Sequence, residues 1–189
     1  RATRLGTESI GKLLFRLSVP TIAAQIVNAL YNIVDRMYIG HMRDIGNDAL
    51  TAMGVCLSII MIISAFAALT AMGGAARASI MLGRGQKEEA ERILGNCTIV
   101  TCAVAIVLTL IFTIFAEKFL WWFGATEESI GYAVDYMRIY ALGTIFVELA
   151  LGLNAFITAQ GFSLIGMLSV VIGAVINIAL DPILIYACS

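Results

Sequence analysis

Long stretches without a charged residue set the strongest limit on what this chain can fold into. No Asp, Glu, Lys or Arg stands between Asp48 and Arg77, and none stands between Arg92 and Glu117. A helix rises about 1.5 Å per residue and the hydrocarbon core of a bilayer is about 30 Å thick, so roughly 20 apolar residues cross it. Only 13% of the residues are charged, against about 25% in an ordinary soluble domain. The sequence therefore predicts an all-α membrane protein.

Five segments have the length and apolar character of transmembrane helices. The predicted spans cover about residues 13–40, 49–76, 93–116, 131–159 and 164–186. Residues 86–95 have the helical spacing of a lead-in to the third span. Trp121 and Trp122 follow that span, where an interfacial aromatic belt is expected. The predicted architecture is a polytopic transmembrane helix bundle.

The charge balance and the cysteines exclude several classes of function. The net charge is −1, and a nucleic-acid partner would require a basic patch or stripe. The four cysteines form no Cys-x-x-Cys pair, and His41 is the one histidine of the sequence. We therefore expect no nucleic-acid partner, no cofactor and no enzymatic activity, and we interpret the cysteines as small apolar side chains.

The distribution of Lys and Arg predicts how the bundle is oriented in the membrane. One predicted side carries two groups of four: Arg1, Arg4, Lys12 and Arg16, then Arg77, Arg84, Lys87 and Arg92. The other side carries Arg36, Arg43, Lys118 and Arg138. The positive-inside rule therefore predicts a cytoplasmic N-terminus in the cell (plasma) membrane, which is the inner membrane of a bacterium with two membranes. The sequence begins at Arg1 and stops at Ser189 directly after an apolar stretch, so we expect a segment of a longer protein.

A polar stripe runs along the first predicted span. Thr21, Gln25, Asn28, Asn32 and Asp35 recur at steps of four and three residues, which places them on one face of a helix. A carboxylate inside a span costs about 2.5–3.5 kcal/mol on insertion scales. We expect this face to line a cavity, although hydrogen bonds between helices are the alternative explanation. Pro20, on the same helix, predicts a local kink.

The fifth predicted span presents three oxygen ligands close together. Asn177 and Asp181 are four residues apart, and Pro182 follows the carboxylate. Proline has no amide hydrogen to donate to the carbonyl of Ile178. Carboxylate, amide and carbonyl oxygens suit a small cation, and interrupted helices coordinate Na⁺ or H⁺ in many transporters. The alternative is that Pro182 only marks the outer end of the span.

The fourth predicted span carries polar residues on two faces. Asn154 and Thr158 share one face, and Thr144 and Glu148 share another. Asn154 is a candidate for the same cation site. For Glu148, a buried hydrogen bond and a separate crevice remain equal alternatives. We expect Asp135 and Arg138 to be interfacial.

Three segments closely resemble the multidrug and toxic compound extrusion (MATE) family, in particular its prokaryotic branch. They are LFRLSVPTIAAQIVNALYNIVDRMYIGHM, GGAARASIMLGRGQKEEAERILGN and NIALDPILIY. The resemblance covers essentially the whole chain. It implies that residues 1–189 are the first five of twelve helices, a partial N-terminal lobe that lacks the sixth helix and the second lobe.

The resemblance also implies a function and a site. It implies a transporter in which Asp35, Asn177 and Asp181 form a site for the coupling cation, Na⁺ or H⁺, with Asn154 as a further member. The supporting or cavity-lining candidates are Tyr136, Gln25, Asn28, Tyr31, Asn32 and Thr158. The implied partners are organic cations as substrates, the lipid bilayer and the rest of the transporter. The alternatives are a lipid-linked oligosaccharide flippase and an intramembrane aspartyl enzyme.

Overall fold

The computed structural model describes residues 9–41 and 46–187, and side chains up to residue 180. Six α-helices follow one another in this part of the chain. They are α1 (Ile10–Gly40), α2 (Gly46–Gly83), α3 (Lys87–Ile114), α4 (Ala116–Trp122), α5 (Ile130–Ala159) and α6 (Ser163–Ala187). Five of them are long and apolar enough to cross a membrane, and α4 is the short one. The predicted all-α, polytopic membrane bundle is confirmed.

The core of the bundle lies between α2, α3 and α5. Most buried residues of α2 recur every three or four positions, and seven of them are Ala or Gly: Gly46, Ala52, Ala67, Ala71, Gly74, Ala75 and Ala78. Small residues allow helix backbones to approach closely, which is how helices associate in lipid. The central layer contains larger side chains, with Ile59, Ile63 and Met137 fully buried. This packing fixes the relative heights of the three helices.

The α1 and α6 helices form a second unit beside that core. The α1 helix packs mainly against α6 and only lightly against α2. Ala24 is the one α1 residue buried in the described part of the chain, and Ala174 is buried on α6. Large apolar side chains such as Phe15, Ile22 and Ile172 are exposed. An apolar outer surface is expected where helices face lipid or a further part of a membrane protein.

Helix boundaries follow the predicted spans closely, with two differences. The α2 helix continues through Arg77 to Gly83, beyond the predicted end at about residue 76. The short α4 helix was not predicted, although it contains Trp121 and Trp122. The predicted lead-in at residues 86–95 and the predicted break at 160–163 are both confirmed.

The turn between α5 and α6 depends on a glycine. Gly161 has a φ of +86°, a conformation that residues with a Cβ rarely adopt. The turn reverses the chain within three residues, so α6 runs antiparallel to α5. The start of α6 therefore lies beside the end of α5, and the end of α6 lies at the level of the first turns of α5.

Candidate cation site

Asp35 lies on the inner side of α1, facing the start of α5. Its side chain is half-buried, and it interacts electrostatically with Tyr136 of α5. Tyr31, one turn earlier on α1, interacts with both Tyr136 and Tyr140. The structure thus brings Asp35, Tyr31 and Tyr136 together, as predicted members of one site.

The α6 helix brings Asn177 and the backbone of Asp181 to the same region. The α1 helix packs mainly against α6, and Asn177 is half-buried. The α6 helix continues through Pro182 to Ala187, so the carbonyl of Ile178 lacks its usual amide donor four residues later. The side chain of Asp181 lies outside the described side chains. Its backbone is one turn beyond Asn177.

Helix geometry places Asn177 and Asp181 of α6 at the same level along the bundle axis as the first half of α5, which contains Tyr136. Asn154 of α5 meets Gly166 and Ser169 of α6. Antiparallel helices of equal rise then place Asn177 at about the height of Thr144 and Asp181 at about the height of Tyr140. Asp35, Asn177 and Asp181 therefore lie at the same end of the bundle.

Asn154 does not share that position. Its Nδ2 donates to the carbonyl oxygen of Gly166 at 3.2 Å and to Ser169 Oγ at 3.1 Å. Asn177 lies eleven residues beyond Gly166, about 16 Å further along α6. Thr158 Oγ1 lies 3.5 Å from Asn154 Oδ1, so both residues belong to the contact between α5 and α6. In this structure Asn154 thus connects α5 to α6, and its predicted place in the cation site stays a prediction.

The other residues of the α1 stripe are mostly satisfied within their own helix. Thr21 Oγ1 donates to the carbonyl oxygen of Leu17 at 3.0 Å. Asn32 Nδ2 donates to the carbonyl oxygen of Asn28 at 2.7 Å. Gln25 is exposed and Asn28 half-buried. The hydrogen bonds of Thr21 and Asn32 stay within α1 and do not connect it to another helix.

Glu148 occupies a different position from the cation site. It is fully buried, with 0% of its surface exposed, on the face of α5 that packs against α2 and α3. Neither carboxyl oxygen has a hydrogen-bond partner among the described residues. The expectation of a buried hydrogen bond is therefore wrong for this structure. Asp135 and Arg138, by contrast, are exposed near the start of α5, as expected of interfacial residues.

Sequence reasoning missed Tyr140. Its ring stacks on that of Tyr136, with centroids 6.2 Å apart and planes inclined by 19°. It interacts electrostatically with Tyr31 and with Glu148. The available signal was the spacing of Tyr136, Tyr140, Thr144 and Glu148, which repeats every four residues along α5.

The predicted oxygen ligands suit a hard monovalent cation or a proton. In the part of the chain with described side chains, no three His, Cys, Asp or Glu residues group around a common point. Asp35 and Asn177 supply one carboxylate and one amide. Oxygen donors of this kind are the ligands that hard cations prefer.

The fold and these residues define a multi-pass helical membrane protein with a carboxylate in its interior. The chain belongs to the MatE family, whose model matches residues 20–183. The predicted family is confirmed.

Curated relatives are transporters. The chain is 27% identical to the multidrug export protein MepA of Staphylococcus haemolyticus, over 94% of this chain and 39% of that protein. It is 25% identical to an FAD transporter of Shewanella oneidensis, over 94% of this chain and 38% of that protein. The chain therefore spans about two fifths of the curated relatives it matches.

Solved structures agree with the fold. The MATE multidrug transporter DinF-BH, in complex with R6G, is 34% identical with a TM-score of 0.89, over 96% of this chain and 40% of that one. A MOP superfamily transporter from Pyrococcus furiosus is 26% identical with a TM-score of 0.87, over 94% of this chain and 39% of that one. The five spans thus match one part of larger transporters.

Proposed function

We propose that this chain is the cation-binding part of a secondary antiporter. The antiporter exports organic, often cationic, compounds in exchange for Na⁺ or H⁺. Residues 1–189 are the first five helices of its N-terminal lobe, and the sixth helix and the second lobe complete it. Its N-terminus is cytoplasmic, and the protein lies in the cell membrane.

One observation carries the proposal: Asp35 is half-buried at the end of the bundle where Asn177 and Asp181 also lie. An ionisable residue inside a membrane protein is costly and is retained where it has a function. Tyr136 interacts electrostatically with this carboxylate. The names of the relatives, among them multidrug export proteins, support the same class of activity.

In this proposal the coupling ion acts on the packing of α1 against α6. Binding of Na⁺ or a proton neutralises the Asp35 carboxylate, which weakens its attraction to polar groups and to water. A ligand shifts a conformational equilibrium by as much as its affinities for the two states differ. The shift favours one arrangement of α1, with Pro20 as the position where the helix changes direction. Access then alternates between the two sides of the membrane.

Two alternatives receive less support. A lipid-linked oligosaccharide flippase needs cationic groups for a pyrophosphate, whereas the ionisable residues that we expect in the interior of the spans, Asp35, Glu148 and Asp181, are acidic. An intramembrane aspartyl enzyme needs two carboxylates that share one proton, and the relatives named above are transporters. One of these relatives is an FAD transporter, and FAD is an anion. A transport assay should therefore include an anionic substrate as well as cations.

The test is transport by the full-length protein in proteoliposomes, driven by an imposed Na⁺ gradient or an imposed pH gradient. Dye and drug cations and FAD serve as substrates. We expect Asp35→Asn and Asp181→Asn each to abolish the gradient-driven component. Glu128→Gln is the control, because Glu128 is exposed outside the spans. Undiminished gradient-driven export in both Asp variants would contradict the proposal.

A further inference from the structure

Glu148 is the buried ionisable group that the proposed cation site leaves unexplained. It lies near the middle of α5 and is fully buried between α2, α3 and α5. Its two carboxyl oxygens are buried without a hydrogen-bond partner in the described part of the chain. A carboxylate in such surroundings loses its hydration without compensation, whereas the protonated acid carries no net charge. The protonated form is the one that fits this site.

The apolar stretches of α2, α3 and α6 contain no charged residue that could pair with Glu148. Residues 49–76 of α2, 93–116 of α3 and 163–180 of α6 contain no Asp, Glu, Lys, Arg or His. The charged residues of α4, Glu117 and Lys118, lie at the far end of the bundle and are exposed. The other titratable groups in these ranges and on α5 are Cys56, Cys97, Cys102, Tyr132, Asp135, Tyr136, Arg138 and Tyr140. Tyr132, Asp135 and Arg138 are exposed near the start of α5. Of all these groups, Tyr140 interacts with Glu148.

A polar stripe connects Glu148 to the region of Asp35. Tyr136, Tyr140, Thr144 and Glu148 follow one another at four-residue steps, and helical residues four apart are neighbours. Thr144 is fully buried, and its Oγ1 lies 3.4 Å from the carbonyl oxygen of Tyr140. The stacked rings of Tyr140 and Tyr136 continue the stripe. It ends at Tyr136, which interacts electrostatically with Asp35.

Close to Leu149, the residue that follows Glu148, two threonines of α2 and α3 form a hydrogen bond. Thr101 Oγ1 donates to Thr70 Oγ1 at 3.0 Å, and Thr70 Oγ1 donates to the carbonyl oxygen of Ala67 at 3.1 Å. Both threonines line a cavity of about 10 Å³, which also touches Leu149, the residue after Glu148. That volume is about the space one water molecule needs.

A larger cleft lies toward the predicted cytoplasmic side. Its volume is about 130 Å³, and Lys87, Glu91 and Gln160 line it. Phe156 lines both the cleft and the threonine cavity. Phe156 is thus a lining residue that the cavity and the cleft share.

We propose that Glu148 is a proton-binding site on a path through the α2–α3–α5 core. The path leads from the cleft at Lys87, past Phe156 and the Thr70–Thr101 pair, to Glu148, and from there along α5 to Tyr136. Each proton that enters binds a Glu148 carboxylate oxygen, and each proton that leaves regenerates the carboxylate. The link to Asp35 rests on the proposed function, whereas protonation of Glu148 and its connection to water do not.

Infrared spectroscopy of the full-length protein tests the protonation state directly. We expect the difference between wild type and Glu148→Gln to contain the carbonyl band of a protonated carboxylic acid. Glu148→Asp should shift this band, which keeps the assignment testable if the Gln variant does not fold. A carboxylate band in place of the acid band would overturn the proposal.

Exchange of the Glu148 proton in D₂O tests the path. We expect the acid band to shift on transfer to D₂O, and Thr101→Val to slow this shift about tenfold, since a hydroxyl that carries the proton is lost. Thr113→Val is the matched control on the same helix, because Thr113 is half-buried and lies outside the path. An unexchanged band in wild type, or equal rates in the two variants, would overturn the path.

These measurements separate the two proposals. If export does not depend on Asp35, the proposed function fails, while the infrared bands of Glu148 remain as expected here. If export depends on Asp35 but Glu148 is ionised, this inference alone fails.

Discussion

A single methyl group added at Gly74 should test how closely the core helices approach. A Cβ atom at Gly74 would lie 2.7 Å from Phe156 Cζ and would also overlap Cys97 Sγ. Carbon atoms normally pack at about 3.5–4.0 Å, so the ring has to move by about 1 Å. Inserting a methyl into a well-packed core costs about 1–3 kcal/mol. Gly74→Ala should therefore destabilise the protein.

Gly73 offers a matched control one residue away. A Cβ there meets nothing within 4 Å, and both positions lie in the interior of α2. Replacing Gly by Ala favours the helix by about 1 kcal/mol at either position. The difference between the two variants therefore isolates the steric overlap, and we expect Gly74→Ala to be less stable than Gly73→Ala by about 1–3 kcal/mol.

The assay is the free energy of unfolding of the full-length protein, measured by equilibrium titration with SDS in mixed micelles. Adding Cys97→Ala to Gly74→Ala removes the sulfur atom and should recover part of the loss. Equal stabilities of the Gly73 and Gly74 variants would refute the close approach of α2 to α3 and α5.

Three further substitutions test the contacts around the site by the same titration. Asn154→Ala removes two interhelical hydrogen bonds and should cost about 1–2 kcal/mol, while cation binding persists; loss of cation binding at full stability would contradict its structural role. Gly166→Ala places a Cβ 2.8 Å from Asn154 Oδ1, whereas Gly173→Ala meets nothing within 4 Å, so only the first should destabilise, by about 1–3 kcal/mol. Ser129 Oγ accepts the amide hydrogen of Thr126 at 3.0 Å, so Ser129→Ala should cost about 1 kcal/mol; an unchanged stability would show that this turn does not depend on the hydroxyl.

Chain-local patterns were enough to predict the spans. The uncharged stretches and the break at residues 160–163 gave four of the five long helices to within a few residues, because length and hydropathy are properties of one segment. The α2 helix differs most from its predicted span, because Arg77 is exposed on the helix surface and the helix continues past it. The α4 helix has seven residues and is too short to be predicted from segment length or hydropathy.

Contacts between helices were harder to predict, as Asn154 illustrates. Periodicity identifies which residues share a face of one helix, but it contains no information on the height at which the next helix meets that face. The turn at Gly161 and the close contact at Gly166 set that height. They place Asn154 beside the start of α6, whereas Asn177 lies near its end. The same limitation left Glu148 between two alternatives until its neighbours on α2 and α3 were known.

The central claim is the proposal that Asp35 belongs to a site for the coupling cation. The position of Asn154 at the contact between α5 and α6 predicts that this residue is not needed for cation binding. Isothermal titration of the purified full-length protein with Na⁺, and proton release measured on addition of a drug cation, test it most directly. The account predicts that Asp35→Asn and Asn177→Ala abolish the cation-dependent signal, and that Asn154→Ala retains it. A wild-type signal in Asp35→Asn, or its loss in Asn154→Ala alone, would contradict the account.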